Sequence, residues 1–79
     1  MDNNHQEHKN FLEIQLQWCK EQDNLLEQME IKLYEMRKIA EYAIEHDLTT
    51  IESIRLNAKM DILKSEVLDL QQQLYSILQ

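Results

Sequence analysis

Three histidines are the side chains most suited to metal or acid–base chemistry in this sequence. His5 and His8 lie three residues apart with Glu7 between them, a spacing that places both imidazoles on one face of a helix. His46 falls at the predicted end of a helix, where a partly positive imidazole suits the helix dipole. The polar surroundings of His5 and His8 are typical of a loose N-terminal tail, so we expect no metal and no cofactor.

Cys19 is the only cysteine of the chain. A single cysteine excludes a disulfide within the chain and favours a reducing, cytoplasmic environment. Because Cys19 falls on an apolar stripe, we expect it to be a small buried hydrophobe rather than a reactive thiol. The first ten residues lack the apolar core of a signal peptide, and no apolar run approaches the roughly 20 residues that span a bilayer. We therefore expect a cytoplasmic protein that does not enter a membrane.

The sequence lacks the motifs of several well-known metal and phosphate sites. It contains neither a His-Glu-x-x-His zinc pattern nor a Gly-rich phosphate loop, and no Glu stands three residues before a His as in di-iron bundles. The 15 acidic and 8 basic residues give a formal charge of −7, which disfavours direct binding to nucleic acid. The same excess leaves open a cationic partner, including a role as an acidic inhibitor of a nucleic-acid-binding protein.

The elements that would position these groups are helices, because the chain has no Gly and no Pro. The clearest helical pattern runs through the C-terminal part, where apolar residues alternate at spacings of four and three. This spacing is the a/d seam of a helix packed lengthwise on another helix. The seam consists of Leu56, Met60, Leu63, Val67, Leu70, Leu74 and Ile77.

A second, less regular helical pattern covers residues 7–46. We predict that its seam combines two sets of heptad positions, the first being Leu12, Cys19, Leu26, Leu33 and Ala40, and the second Met29, Met36 and Ala43. Four further apolar residues then lie beside the seam and widen it, namely Phe11, Trp18, Leu25 and Ile39. Gln15, Gln22 and Lys32 interrupt the apolar face.

The junction between the two patterns predicts a short turn at residues 47–49. Thr49 and Glu52 fit a capping box, so the second helix should occupy residues 50–79 and residues 1–6 should fray. A turn this short makes the helices antiparallel. We therefore predict a single all-α domain over residues 1–79, an antiparallel two-helix hairpin of long, coiled-coil-like helices that dimerisation completes as a four-helix bundle.

Unequal helix lengths predict an exposed apolar end. Folding the chain about Leu48 sets Leu78 opposite about Trp18 and leaves the preceding apolar residues without a neighbour, because the first helix is longer by roughly 15 Å. The uncovered residues are Phe11, Leu12, Ile14 and Leu16. Since a monomer would leave them bare, we expect a protein partner, either a second copy or another helical protein.

One stretch resembles a known family. Residues 47–61 read Asp-Leu-Thr-Thr-Ile-Glu-Ser-Ile-Arg-Leu-Asn-Ala-Lys-Met-Asp. They are similar to the turn and second helix of the small sporulation-regulating aspartyl-phosphate phosphatases of the stage-zero sporulation protein E type, in which Gly-Leu-Thr precedes Leu-Ser-Gln-x-Leu-Asp. Leu48 and Thr49 match the turn, Leu56 the leucine and Asp61 the aspartate. Asn57 and Ala58 stand where the family has Ser and Gln.

The resemblance implies a helical hairpin that removes phosphate from the phospho-aspartate of a response regulator, with Asp61 as a functional residue and Asn57 next to it. An inactive relative is the other reading, because Ala58 lacks the amide of Gln that could orient water or a phosphoryl oxygen.

Without the resemblance, the residues favour a regulatory interaction module that buries apolar helix faces against a protein partner and is not an enzyme. The interface residues that we predict are Phe11, Leu12, Leu16, Trp18, Leu25, Met29, Met36, Met60, Val67 and Leu74.

Overall fold

The computed structural model describes residues 2–78 as two α-helices, α1 (Asp2–Glu45) and α2 (Thr50–Leu78). The helices lie antiparallel, since Lys32 near the middle of α1 contacts Glu66 and Trp18 contacts Ile77 near the end of α2. The molecule measures 72 × 19 × 12 Å. The prediction of an all-α helical hairpin is therefore confirmed.

Helix α1 begins earlier than the sequence predicts. The predicted frayed tail spanned residues 1–6, but α1 starts at Asp2; Met1 lies outside the described residues. Each residue added to an existing helix gains a backbone hydrogen bond for one fixed residue, and no Gly or Pro opposes this extension. The Gln6 side chain also donates to Asn10 Oδ1 at 3.2 Å, one turn further on.

The turn follows the prediction closely. Helix α1 ends at Glu45, one residue before the predicted end, and α2 begins at Thr50, while Gln79, its predicted last residue, lies outside the described range. The backbone N–H of Glu52 donates to Thr49 Oγ1 at 3.1 Å, as an N-cap requires. The reciprocal half of the predicted capping box is different, because the Thr49 hydroxyl itself donates to Glu52 Oε1 at 3.0 Å.

The helices meet along one line of side chains, which we call the inner seam. On α2 it is the predicted seam, since Leu63 and Leu70 are buried and the other five members are partly buried. Leu25 is the buried member on α1. This α1 line runs at the same spacings of four and three through Trp18, Gln22, Leu25, Met29, Lys32, Met36 and Ile39.

On α1 the inner seam differs from the predicted seam in one of its two sets of heptad positions. Met29 and Met36 lie in it as predicted, and the residues expected beside the seam, such as Leu25 and Ile39, are in the seam itself. The other predicted set is exposed throughout, namely Leu12, Cys19, Leu26, Leu33 and Ala40. Ala43 is exposed as well. Apolar residues at heptad spacing occur twice on α1, and packing against α2 selects only one of the two lines.

Lys32 lies in the inner seam and is held by an ion pair. Its Nζ is 2.8 Å from Glu66 Oε2, and its side chain retains 30% of its exposure. The long aliphatic part of lysine can cover the seam while the ammonium reaches water at the edge. The hydrogen bond to the Glu66 carboxylate raises the pKa of Lys32 above its ordinary value of 10.5. A polar seam residue is thereby accommodated without an unpaired buried charge.

Candidate interaction surface

Residues 2–17 of α1 extend beyond the end of α2 and form an N-terminal overhang. Trp18 marks where the hairpin ends, because its Nε1 donates to the Ile77 carbonyl oxygen at 2.9 Å. Beyond it Phe11, Leu12 and Leu16 are 56%, 53% and 56% exposed. The overhang therefore presents large apolar side chains to solvent, where the helix lengths predicted them.

A second exposed surface follows α1 along the body of the hairpin. It is the line of heptad-spaced residues left out of the inner seam, and we call it the outer stripe: Leu12, Cys19, Leu26, Leu33 and Ala40. Leu26 and Leu33 are 46% and 50% exposed, which is high for side chains of their hydrophobicity. The prediction that Cys19 is buried was wrong, because this line lies beside the inner seam and not in it, and Cys19 is exposed.

Helix α2 adds apolar side chains to the same edge of the hairpin. In an antiparallel pair each helix position next to the seam adjoins the equivalent position of the other helix. The contacts of Trp18 with Ile77 and of Lys32 with Glu66 set Leu26 between the levels of Asp69 and Gln72, close to Gln71. Leu68, Tyr75 and Leu78, which flank Gln71 on this side, are at least half exposed. The C-terminal half of α2 therefore adds apolar side chains to this edge, which also carries the polar residues Asn57, Asp61 and Gln71.

Seven of the ten predicted interface residues lie in the inner seam: Trp18, Leu25, Met29, Met36, Met60, Val67 and Leu74. All of them are buried or partly buried. They hold the hairpin together, whereas the large apolar side chains of the overhang and of the outer stripe are exposed. Leu26 and Leu33, which the heptad pattern assigned to the seam of the hairpin, are exposed instead.

The opposite edge of the hairpin carries a groove of about 480 Å³ near the turn. Ile39 and Leu56 contribute its apolar part. Lys38 lies with its Nζ 5.1 Å from the centre of the Tyr34 ring and 3.6 Å from Glu41 Oε2. The Tyr34 side chain chiefly, and Glu41 to a smaller degree, raise the pKa of Lys38. Sequence patterns did not reveal this groove, because its lining comes from both helices.

The candidate catalytic residues lie on the edge that carries the outer stripe. Asn57 and Asp61 are one turn apart on α2, and both are exposed. Across residues 2–78 no group of three or more His, Cys, Asp or Glu side chains could hold a metal ion. Asp61 is thus an exposed carboxylate with the amide of Asn57 one turn away.

The three histidines do not come together in the described part of the chain: His5 and His8 line one groove on the overhang, and His46 lies at the other end of α1. His5 and His8 are exposed on the overhang. His46 lies just beyond α1, where its ring stacks on Tyr42 with 4.0 Å between ring centroids and its Nδ1 lies 3.0 Å from the Tyr42 carbonyl oxygen. These contacts make His46 part of the helix end, which agrees with its expected role there.

Over residues 2–78 neither helix is apolar enough along its length to cross a membrane. Comparisons of this chain with protein-family models, curated proteins and solved structures found no match.

Proposed function

We propose that this chain is a protein–protein interaction module that buries its overhang and outer stripe against helices of another chain. The observation that carries the proposal is the outer stripe, a line of apolar side chains at heptad spacing exposed along most of α1. A helix with such a line is stable in water chiefly when a second helix covers it. Occupying a partner's helical surface in this way would give the module a regulatory role.

The extent of exposed surface supports the same proposal. The accessible surface is 6770 Å². A compact monomer of this mass would expose about 5,100 Å², so about 1,700 Å² more is exposed than compact folding requires. A stable interface removes about 800 Å² from each partner. The excess is therefore large enough for an interface of ordinary size.

The test is site-specific photo-crosslinking in cells, followed by reconstitution with purified components. A photoreactive residue replaces Leu16 or Leu26, and a control replaces Ser65, which is exposed on the far side of α2 from the inner seam. We expect adducts from positions 16 and 26 and none from position 65, and we expect the reconstituted complex to be lost in Leu26→Glu. Equal crosslinking from all three positions would contradict an interaction surface on α1.

A second candidate function is removal of phosphate from a response-regulator phospho-aspartate. It is favoured by the exposure of Asp61 and Asn57 side by side, because a carboxylate acting on a docked protein must be accessible. The test is phosphate release from a phosphorylated receiver domain. We expect Asp61→Ala to abolish release and Asp69→Ala, which removes another exposed carboxylate of α2, to preserve it. No release by the wild-type chain above the spontaneous rate would exclude this activity.

A further inference from the structure

We infer that the partner of the outer stripe is a second copy of this chain, placed so that the two α1 helices run antiparallel about a two-fold axis near Leu26. This inference rests on the proposed interaction function and names the partner. The outer stripe has Leu26 at its centre, with two members on each side at equal spacing. An antiparallel copy would therefore set Leu26 opposite itself, Cys19 opposite Leu33 and Leu12 opposite Ala40.

The same two-fold axis also brings exposed apolar residues of the two α2 helices together. The two contacts between the helices place Leu26 close to the level of Gln71, so the axis also sets Gln71 near its own copy. Leu68 and Tyr75, which lie on either side of Gln71 on this edge, then come opposite each other in the two copies. Shifting the two copies by one heptad in either direction loses this match and leaves one end of the outer stripe without an apolar neighbour. Both helices thus favour one register.

Two hairpins can form a four-helix bundle in two symmetric arrangements, and the overhang favours one of them. A two-fold axis parallel to the helices would put α1 of each copy against α2 of the other, and both overhangs would project at one end with Leu12 still bare. The antiparallel arrangement lays each overhang beside the turn end of the other copy, where Ile44 is 85% exposed. It therefore covers apolar surface that the alternative leaves in water.

The charges near the outer stripe predict how dimerisation depends on salt. Asp23 and Glu30 are exposed beside the outer stripe, and the antiparallel register sets Asp23 of one copy opposite Glu30 of the other. These carboxylates repel, as do two chains that each carry a formal charge of −7. Added salt should therefore strengthen this dimer, whereas it weakens a complex with a cationic partner.

The test combines disulfide trapping with charge reversal. In the antiparallel register Leu33→Cys places a thiol opposite Cys19 of the second copy, within the reach of a disulfide. Identical positions such as Cys19 and its own copy are 14 residues apart along the helices, or about 21 Å. We expect oxidised Leu33→Cys to form a covalent dimer, the wild-type chain to form none, and the control Leu33→Cys with Cys19→Ser to form none.

Glu30→Lys tests the register independently of disulfides. It turns both Asp23–Glu30 repulsions into attractions, and we expect the dimer dissociation constant to fall about tenfold. In the alternative arrangement α1 packs on α2 of the other copy, so Asp23 does not lie opposite Glu30 and Glu30→Lys creates neither attraction. A dimer trapped through Cys19 alone, or unchanged affinity in Glu30→Lys, would overturn the antiparallel register.

A monomeric wild-type chain at all concentrations would overturn the second copy as partner. The interaction function would then still be tested separately by the crosslinks from positions 16 and 26, which would identify a different protein. If those crosslinks were absent as well, both proposals would fail.

Discussion

Trp18 Nε1 donates a hydrogen bond to the Ile77 carbonyl oxygen at 2.9 Å across the open end of the hairpin. Ile77 belongs to the last turn of α2, whose carbonyl oxygens have no partner within their own helix. The bond satisfies one of them and fixes how far α1 extends past α2. The overhang, and with it the exposure of Phe11 and Leu12, therefore depends on a contact 59 residues apart in sequence.

Removing the indole N–H should loosen this end of the hairpin. We expect Trp18→Phe to lower the free energy of unfolding by about 1 kcal/mol, since a partly buried carbonyl loses its donor while a ring remains in the seam. Urea denaturation followed by circular dichroism at one fixed protein concentration would measure the change. The control Tyr42→Phe, which removes an exposed hydroxyl, should leave stability unchanged. Equal stability of Trp18→Phe and the wild type would contradict this role.

The cap at Thr49 should contribute measurably to α2. Thr49→Ala removes the acceptor of the Glu52 N–H, and we expect a loss of about 1 kcal/mol. Thr49→Ser and Thr49→Asp keep a side-chain oxygen and should retain most of the stability. Thr50→Ala, one residue into the helix, is the matched control and should not destabilise the protein. A Thr49→Ala protein as stable as the wild type would show that the cap is unimportant.

The core is thin, so one leucine should matter greatly. Leu63 is 4% exposed and its neighbour Ile62 is 60% exposed. We expect Leu63→Ala to lower the free energy of unfolding by about 2–5 kcal/mol, a large part of the stability of so small a domain. The matched control Ile62→Ala should change it by less than about 0.5 kcal/mol. Similar losses in the two variants would mean that the inner seam is not the core.

Replacing Lys32 by leucine should stabilise the hairpin. We expect Lys32→Leu to raise the melting temperature by about 5 °C, because a leucine buries more apolar surface in the inner seam than is lost with a half-exposed ion pair. Glu66 remains hydrated at the edge of the seam. Lys38→Leu, outside the seam, is the control and should give no comparable gain. Thermal melting would compare the three proteins, and a lower melting temperature for Lys32→Leu would refute the expectation.

The contrast between the two helices shows how far the sequence could predict this fold. On α2 every seam position is apolar, so spacing alone identified the packed face. On α1 the seam contains Gln22 and Lys32, while Leu26 and Leu33 repeat on a different line. The outer stripe was placed in the predicted seam because its residues are more apolar. Only the three-dimensional match of α1 to α2, including the reach of Lys32 to Glu66, decides between the two.

The same ambiguity explains which exposed apolar surfaces the sequence predicted and which it did not. The unequal helix lengths and the short turn predicted the overhang. Phe11, Leu12 and Leu16 are exposed there, as this prediction requires. The outer stripe was missed because its residues had been assigned to the hairpin's own seam. Cys19 was expected to be buried for the same reason. Apolar periodicity identifies a face that must be covered, but it does not say which helix covers it.

We have proposed that two copies of this chain assemble through the outer stripe. Sedimentation equilibrium of the wild-type chain, Leu26→Glu and the control Ser65→Glu, each from micromolar to millimolar concentration, tests it most directly. We expect the wild type and Ser65→Glu to reach twice the 9.6 kDa mass of one chain, and Leu26→Glu to remain at the single-chain mass with its helical content intact. A wild-type chain that stays at the single-chain mass throughout, or a Leu26→Glu protein that dimerises equally well, would contradict the claim.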